Sequence, residues 1–397
     1  MRELKLGDIA DIITGPFGSQ LHMEDYVNEG IPVVMPQNIK ERKVDEKGIA
    51  RISEYDYVRL KKYATMKNDM VYARRGDIEK HAFIENDNEM LCGTGCLRIR
   101  VKDSDVLPLY LSFYLCSPEA RKGVVSHAIG TNMQNLNTGI LSEVPVKLPS
   151  YEKQAIIADF LHKLESKIEL NQKINDYLEE MAKALYDYWF VQFDFPDKNG
   201  KPYKSSGGAL LYNEVLKKEI PFGWTIDTLG NLLSKVPNST KIPATDFCDK
   251  GSIPVIDQSS DFIAGYTDDE TSILSNKTGY IVFGDHTRVV KYIRFPFARG
   301  ADGTQVINSN NRCMPNELFY QVIKSIDLSN YGYARHFKYL KDTIIAIPSA
   351  NLADIYAEKV GKWYENQVSI MKENIALSQL RDWLLPMLMN GQATIEN

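Results

Sequence analysis

The stretch from Tyr151 to Phe190 contains neither proline nor glycine, and it restricts the possible folds of this chain more than any other feature. At about 1.5 Å per residue it predicts a helix of ~60 Å, far longer than the helices of ordinary globular domains. Its apolar residues recur at heptad spacing, with asparagines in the middle of the seam. The seam residues are Ile157, Leu164, Asn171, Leu178 and Leu185 at one position, and Leu161, Ile168, Asn175, Ala182 and Trp189 at the other. Such a seam needs a partner helix.

A second helical stretch, from about Leu352 to Leu385, repeats the pattern and is predicted to end at Pro386 and Gly391. When the second stretch is aligned on the first, Asn374 is equivalent to Asn171. We expect the two helices to pack antiparallel about a pseudo-two-fold axis, with globular parts at opposite ends. The asparagines would then set the register of the pair. The alternatives are that each helix docks on its own domain or that the chain dimerises through them.

The sequence outside these helices can be aligned on itself, because similar features occur in the same order in both halves. They are an apolar-glycine turn, a strand, an apolar run closing on Gly-Asp, a Gly-Thr turn and a final strand closed by proline. The members are Leu6–Ile9, Ile31–Val34, Met70–Asp77, Gly93–Gly95 and Val144–Pro149, matched by Leu229–Leu232, Ile253–Ile256, Tyr280–Asp285, Gly303–Gln305 and Ile344–Pro348. Their shared order predicts a duplicated architecture.

With 397 residues the chain is long enough for two or three domains. We predict an α/β (α+β) protein in which two pseudo-repeated domains are separated by two long antiparallel coiled-coil helices. The predicted boundaries are 1–150 for the first domain, 151–190 for the first helix, 191–221 for a turn-rich connector, 222–349 for the second domain and 350–390 for the second helix.

Charge and cysteine content limit the function classes. The net charge of −5 gives no support to nucleic-acid binding in bulk, so any such contact needs a local basic stripe. Five scattered cysteines argue against a disulfide framework and for a reducing compartment. With no apolar run of transmembrane length and no apolar signal segment at residues 1–8, we expect a cytoplasmic protein without membrane contact.

Catalytic signatures are missing from the sequence. It has no phosphate-binding Gly-x-x-x-x-Gly-Lys-Ser/Thr loop, no His-Glu-x-x-His and no Gly-x-Ser-x-Gly elbow, and its six histidines have no metal-ligand spacing. The pair Cys92 and Cys96 invites a zinc interpretation, but no second Cys/His pair lies near it, and two buried thiols around a glycine turn are favoured. We therefore expect a binding protein with no catalytic and no metal site.

If the chain reads DNA, polar glycine-rich loops are where base edges and phosphates would be contacted, because amide and basic side chains read bases there. The turn from Gly15 to Gln20 places backbone amides on a tight bend that suits phosphate approach. The predicted contacts in the first half are Gly15, Phe17, Gly18, Ser19, Gln20, Arg74, Arg75, Thr94, Thr131, Asn132, Gln134 and Asn135. Those in the second half are His286, Arg288, Lys291, Gln305, Tyr333, Arg335, His336 and Lys338.

Several of these segments together resemble the specificity subunits of type I restriction-modification systems. The resemblance covers essentially the whole chain, and the combination is specific although each motif alone is weak. Its motifs are Gly15–Gln20, Gly130–Asn137, Pro149-x-x-Glu152-x-Gln154, Trp189-Phe190, Phe193–Pro196, Asn199–Gly208, Pro221-x-Gly223-Trp224 and Leu380–Pro386. The second long helix departs from the pattern, because it begins at Pro348-Ser349-Ala350 without the Glu-x-Gln opening of the first.

The resemblance implies that each globular domain is a target-recognition domain and each long helix a spacer. It implies a non-catalytic subunit that recognises a bipartite site in double-stranded DNA and directs adenine methylation and cleavage by its partners. Those partners would be two modification subunits and the restriction subunits. S-adenosylmethionine, ATP and Mg²⁺ would bind to them and not to this chain. The alternative is a coiled-coil scaffold or anti-restriction decoy that binds modification subunits without reading DNA.

Overall fold

Helices and sheets are mixed along the whole chain, as predicted. The computed structural model describes residues 2–40, 42–127, 136–332 and 335–395. The chain divides into two compact units, one formed by Met1–Glu169 with Ile375–Asn397 and the other by Leu170–Asn374. Each unit contains one globular module and a part of both long helices. Within the described ranges, no helix is long and apolar enough to cross a membrane.

Module 1, residues 2–150 in the first unit, contains two four-stranded sheets and several short helices. The first sheet is antiparallel, in the order Ala10–Thr14, Cys96–Val101, Met70–Ala73 and His81–Phe83. The second has the order Leu91–Cys92, Ile31–Val34, Arg51–Ile52 and Tyr26–Val27, and its first pair is parallel. Shorter pairs join Arg2–Lys5 to Pro145–Leu148 and Ile39–Lys40 to Lys43–Val44. The α-helices are Leu6–Ile9, Glu54–Arg59, Pro108–Leu115, Pro118–His127 and Thr138–Ser142.

The core of the first unit contains residues from distant parts of the sequence. Leu111 and Phe113 of one module helix pack in the same buried cluster as Leu161 of the first long helix. Leu388 and Met389, from the end of the second long helix, complete this cluster. Burying such side chains contributes about 1.5–3 kcal/mol each, so the end of the second long helix is part of the module 1 core.

Module 2, residues 222–349 in the second unit, repeats this plan with fewer strands. One sheet has the order Lys241–Ile242, Phe297–Gly300, Ile253–Ile256 and Gly265–Thr267, with Ile273–Leu274 also paired to Phe297–Gly300. The other is antiparallel, in the order Val290–Ile293, Tyr280–Gly284 and Thr304–Ile307. Thr225–Thr228 pairs with Ile344–Ile347, and the α-helices are Asn316–Ser325 and His336–Asp342.

Strand pairing confirms the duplication predicted from the sequence. Ile31–Val34 in module 1 and Ile253–Ile256 in module 2 each form a parallel pair with the strand that precedes the glycine turn. Met70–Ala73 and Tyr280–Gly284 each lie between two antiparallel neighbours. The modules differ because no described strand of module 2 takes the place of Ala10–Thr14.

The connector before module 2 is ordered by aromatic contacts. The Phe195 ring stacks on Tyr203 at 4.6 Å between centroids and on Trp224 at 5.7 Å. Leu210–Asn213 and Lys218–Pro221 then form an antiparallel hairpin. The proline and glycine content predicted turns here, and the stacked rings hold them in place.

The two long helices pair antiparallel inside the second unit. The Tyr356 hydroxyl donates to the Ala182 carbonyl at 3.1 Å, and the Gln367 amide donates to the Asn175 carbonyl at 2.9 Å. Residue numbers therefore fall on one helix as they rise on the other. The Asn171 amide, 1 % exposed, donates to Asn374 at 2.8 Å and to Glu373 at 2.7 Å. This confirms the contact between the long helices and gives Asn171 the register-setting bonds predicted for it.

The ends of the long helices correct one prediction. The first helix spans Tyr151–Tyr186 and continues as a π-helical turn over Asp187–Val191, close to the predicted end. The second spans Ala350–Met389, so Pro386 does not end it. A proline inside a helix costs about 3 kcal/mol, and the burial of Leu385, Leu388 and Met389 offsets that cost. Gly391, with a left-handed φ of 71°, follows the helix as its C-terminal cap.

Candidate nucleic-acid interface

A bend at Gly15 brings the predicted loop Gly15–Gln20 of module 1 against the turn Gly93–Gly95. The Gly15 N–H donates to the Cys96 carbonyl at 3.0 Å, and a Cβ on Gly15 would lie 2.1 Å from the Gly93 oxygen. Only glycine permits this approach. The Thr94 hydroxyl donates to the Pro16 carbonyl at 3.0 Å, so the two loops are tied together.

Arg74 joins a third segment to this pair of loops. Its guanidinium lies 4.8 Å from the centre of the Phe17 ring, and its backbone N–H donates to the Gly95 carbonyl at 2.8 Å. Its side chain donates to the Leu136 carbonyl at 2.8 Å, which links Arg74 to the segment before the helix Thr138–Ser142. Burial and the neighbouring charge of Arg75 lower the pKa of Arg74. Arg75 itself is exposed.

The remaining predictions for module 1 fall partly outside the described residues. Gly18 and Gln20 lie in a short helical turn with Ser19, and Gln20 accepts a 2.6 Å hydrogen bond from the Tyr63 hydroxyl. Thr131, Asn132, Gln134 and Asn135 lie outside the described residues. The structure therefore brings together Gly15, Phe17, Arg74 and Thr94, and the role of each in binding DNA stays a prediction.

In module 2 the corresponding strand, Tyr280–Gly284, ends in a turn that exposes His286 and Arg288. Arg288 has a left-handed φ of 62°, which is uncommon for a residue with a side chain, and it follows the turn directly. Arg335 and Lys338 are also exposed. Gln305 is half-buried in the neighbouring strand, and Tyr333 lies outside the described residues.

The structure changes the role of two residues predicted to contact DNA. Lys291 is 4 % exposed, its ammonium donates to the carbonyls of Asp257 and Asp261, and burial lowers its pKa. His336 is 2 % exposed, and its Nδ1 lies 2.9 Å from the Asp285 carbonyl oxygen. Both side chains are buried and contact the backbone of a turn. Lys291 contacts the turn that contains Asp257 and Asp261, and His336 contacts the turn that begins at Asp285. They are therefore positioning residues.

Gln258 lies beside His286 and Thr287 in module 2 and was not among the residues predicted from the sequence. It follows the strand Ile253–Ile256, and its side-chain Oε1 accepts a hydrogen bond from the His286 N–H at 3.2 Å. The Thr287 hydroxyl donates to its backbone carbonyl at 2.6 Å. The sequence signal available was a glutamine two residues after the strand Ile253–Ile256, the position that Pro36 has after Ile31–Val34 in module 1.

The same loop contacts recur in both modules. Arg74 in module 1 exchanges hydrogen bonds with Leu136, and Asp285 in module 2 accepts from the backbone of His336 at 2.9 Å and of Phe337 at 2.9 Å. A Cβ on Gly95 would lie 3.2 Å from Pro36, and one on Gly303 would lie 2.5 Å from Gln258. Each module therefore has a cluster of loop residues at the end of one strand, Met70–Ala73 in module 1 and Tyr280–Gly284 in module 2. We call it the strand-end cluster. Its backbone contacts are similar in the two modules, and its side chains differ.

The cysteine pair has the buried environment expected of structural thiols. Cys92 and Cys96 are free and inaccessible to solvent, and burial raises the pKa of Cys92 to about 12. Across the ranges that the structure describes, no group of three or more His, Cys, Asp or Glu side chains is arranged to hold a metal ion.

Comparison with known proteins finds similarity to one family. Residues 1–180 match the model of the type I restriction modification DNA specificity domain. The chain is 24% identical over 426 aligned residues to the type I restriction enzyme MjaIX specificity subunit of Methanocaldococcus jannaschii, covering 99% of this chain and 93% of that protein. It is 31% identical over 182 residues to the HindI specificity subunit of Haemophilus influenzae, covering 45% of this chain and 39% of that protein.

A solved structure has the same overall fold. The S subunit of a type I restriction-modification system from M. genitalium matches with a TM-score of 0.56 at 16% identity, covering 98% of this chain and 95% of that one. The duplicated modules and long helices agree with this match. Residues 1–180 thus match a type I restriction modification DNA specificity domain, and over nearly its whole length the chain is similar to a type I restriction enzyme specificity subunit.

Proposed function

We propose that this chain recognises a bipartite target in double-stranded DNA, with module 1 reading one half-site and module 2 the other. The observation that carries the proposal is the repeated strand-end cluster. Its framework is shared, whereas its exposed groups differ: Phe17 and Arg75 in module 1, and His286 and Arg288 in module 2. A common framework with unlike exposed side chains suits two readers of different base sequences.

The same proposal covers the partners. The chain itself would be non-catalytic and would act in the cytoplasm, as its five unpaired cysteines suggest. Two modification subunits would methylate adenine and restriction subunits would cleave. S-adenosylmethionine, ATP and Mg²⁺ would be held by those subunits.

An exposed apolar stripe on the first long helix supports docking of a modification subunit. The stripe is formed by Leu170, Ile174, Tyr177, Met181 and Tyr188, whose exposed fractions run from 36% to 63%. Their spacing of three, four and seven residues puts them on one face of the helix. That face differs from the seam that contacts the second long helix. Exposed contiguous apolar surface of this kind marks protein interaction sites.

The decisive test of the function is co-expression with the cognate modification subunit, followed by mapping of methylated adenines in the host genome. We expect methylation at one bipartite sequence with a constant gap. Exchange of module 2 for that of a relative should change one half-site and leave the other unchanged. A complex that forms but methylates without sequence preference would support the scaffold alternative.

Replacing Arg288 with glutamine is expected to weaken DNA binding by the complex and to reduce its salt dependence. Removing one cation from a phosphate makes the slope of log K against log salt shallower by about 0.9. The matched control is Arg312→Gln, because Arg312 is 80% exposed and pairs at 3.0 Å with Asp354 of the second long helix. Titration by fluorescence anisotropy at several salt concentrations measures both slopes. An unchanged slope for Arg288→Gln would remove Arg288 from the interface.

Placing glutamate at both Tyr177 and Met181 is expected to weaken binding to the modification subunit at least about tenfold, a cost of about 1.4 kcal/mol. The unfolding free energy should change little, because both side chains are exposed. Gln172→Glu, exposed on the same helix but off the stripe, serves as the control. Calorimetric titration measures the affinity. Equal affinities for the control and the double variant would exclude the stripe as the docking face.

A further inference from the structure

We propose that Gln258 selects a base in the half-site read by module 2, with its side-chain amide paired to an adenine in the major groove. This inference rests on the proposed function and adds to it a specificity-determining residue and the base it reads. Three features of the structure carry it: a rigid turn, an amide of fixed orientation and an apolar counterpart in the other module.

The turn that contains Gln258 is fixed by hydrogen bonds within it and from the buried Lys291 side chain. The Asp257 carboxylate accepts a hydrogen bond from the Ser259 N–H at 2.9 Å. The buried Lys291 ammonium donates to the Asp257 carbonyl at 3.0 Å and also to the Asp261 carbonyl. A charge of this kind inside a protein is kept only where such bonds satisfy it. The turn is therefore preorganised, which recognition of a base requires.

The amide can have only one orientation. Its contact with His286 is to a backbone N–H, which donates, so the atom at 3.2 Å is the oxygen Oε1. Nε2 makes no hydrogen bond within the described part of the chain, and Oε1 keeps a second lone pair. A Cβ on Gly303 would lie 2.5 Å from Nε2 and 2.6 Å from Oε1, so the amide packs directly against this glycine, whose φ of 62° itself favours glycine. One donor and one acceptor thus remain side by side.

The equivalent position in module 1 shows that the fold does not need this amide. There Pro36 lies beside Gly95, with 3.2 Å between its ring and a Cβ placed on that glycine. Proline has no side-chain donor or acceptor. The same place in the framework therefore carries an amide in one module and an apolar ring in the other, as expected of a position that distinguishes half-sites.

Adenine is the base that matches the free groups. In the major groove it presents the N7 acceptor beside the N6 donor, and a glutamine amide satisfies both at once. Guanine presents two acceptors there and would leave Oε1 without a donor.

The test uses the complex with the modification subunit and a duplex library in which each base pair of the target is varied singly. Gln258→Met keeps the length of the side chain and removes both polar groups. We expect it to lose discrimination at one A·T pair of the module 2 half-site by about tenfold or more. Gln258→Glu keeps only acceptors, and we expect it to shift the preference at that pair toward cytosine. The module 1 half-site should be unchanged in both variants.

One control variant and the unaltered complex separate the possible failures. Ser260→Ala removes an exposed hydroxyl from the segment after Gln258, and should leave base preference unchanged. If Gln258→Met lowers affinity equally for all duplexes, or changes nothing, the amide only ties the turn to His286 and the inference is wrong, whereas the proposed function stands. If the unaltered complex shows no sequence preference, the proposed function itself fails.

Discussion

Replacing Arg42 with methionine is expected to lower the unfolding free energy of the first unit by about 3–5 kcal/mol, the typical cost of leaving one partner of a buried ion pair alone. Arg42 donates to both oxygens of Glu165, at 3.1 Å and 2.9 Å. The two side chains are only 5% and 10% exposed. Removing the guanidinium would leave the Glu165 carboxylate without its cation in the interior.

Further interactions of Arg42 make the loss larger than the ion pair alone. The guanidinium also donates to the Ser112 hydroxyl and lies 3.9 Å from the centre of the Phe113 ring. The pair joins module 1 to the first long helix within the same unit.

Urea unfolding of Arg42→Met, Glu165→Met and the double variant measures the effect. The double variant removes both charges together and should recover much of the stability, because a matched apolar pair is often as stable as a buried ion pair. The exposed pair Lys163 and Asp159, on the same helix, gives the control, and Lys163→Met should cost less than about 1 kcal/mol. Equal losses for Lys163→Met and Arg42→Met would contradict this account of module 1.

Replacing Leu388 with alanine is expected to destabilise the first unit by about 2–5 kcal/mol, as for other large-to-small substitutions in a core. Leu388 is 3% exposed and packs with Leu385 and Met389 in the module 1 cluster. The effect should therefore appear in module 1, although that module is encoded more than 200 residues earlier.

Hydrogen exchange measured on module 1 peptides locates the loss. Leu380→Ala is the matched control, because Leu380 lies on the same helix at 39% exposure and should change stability by no more than about 0.5 kcal/mol. Protection lost only in the long helices, with module 1 unchanged, would show that the helix end is not part of its core.

The long helices were predictable because their signal is local and repeated. All the predicted seam residues of the first long helix are buried or half-buried, since a heptad pattern fixes one face whatever lies against it. The end of the second helix was not predictable in this way. Proline inside a helix is unfavourable by local rules, and only packing of residues after Pro386 into a distant module overrides them.

The candidate interface also contains residues that the sequence predicted and residues that it did not. Gly15, Phe17, Arg74 and Thr94 were expected from their residue types and prove to be neighbours. Four residues predicted to bind DNA lie outside the described residues, namely Thr131, Asn132, Gln134 and Asn135. Gln258 was missed because one glutamine after a strand is an ordinary feature until the glycine turn beside it is seen.

By itself, the sequence determined the duplication, the order of features along each half and the two long helices, because periodicity and turn residues act over short distances along the chain. The tertiary structure alone decided which polar side chains face solvent. Lys291 and His336 look like DNA-contacting residues in the sequence, yet both are buried. Lys291 donates to the Asp257 carbonyl, and Nδ1 of His336 lies 2.9 Å from the Asp285 carbonyl oxygen. Burial is a property of segments brought together by folding, and no local pattern encodes it.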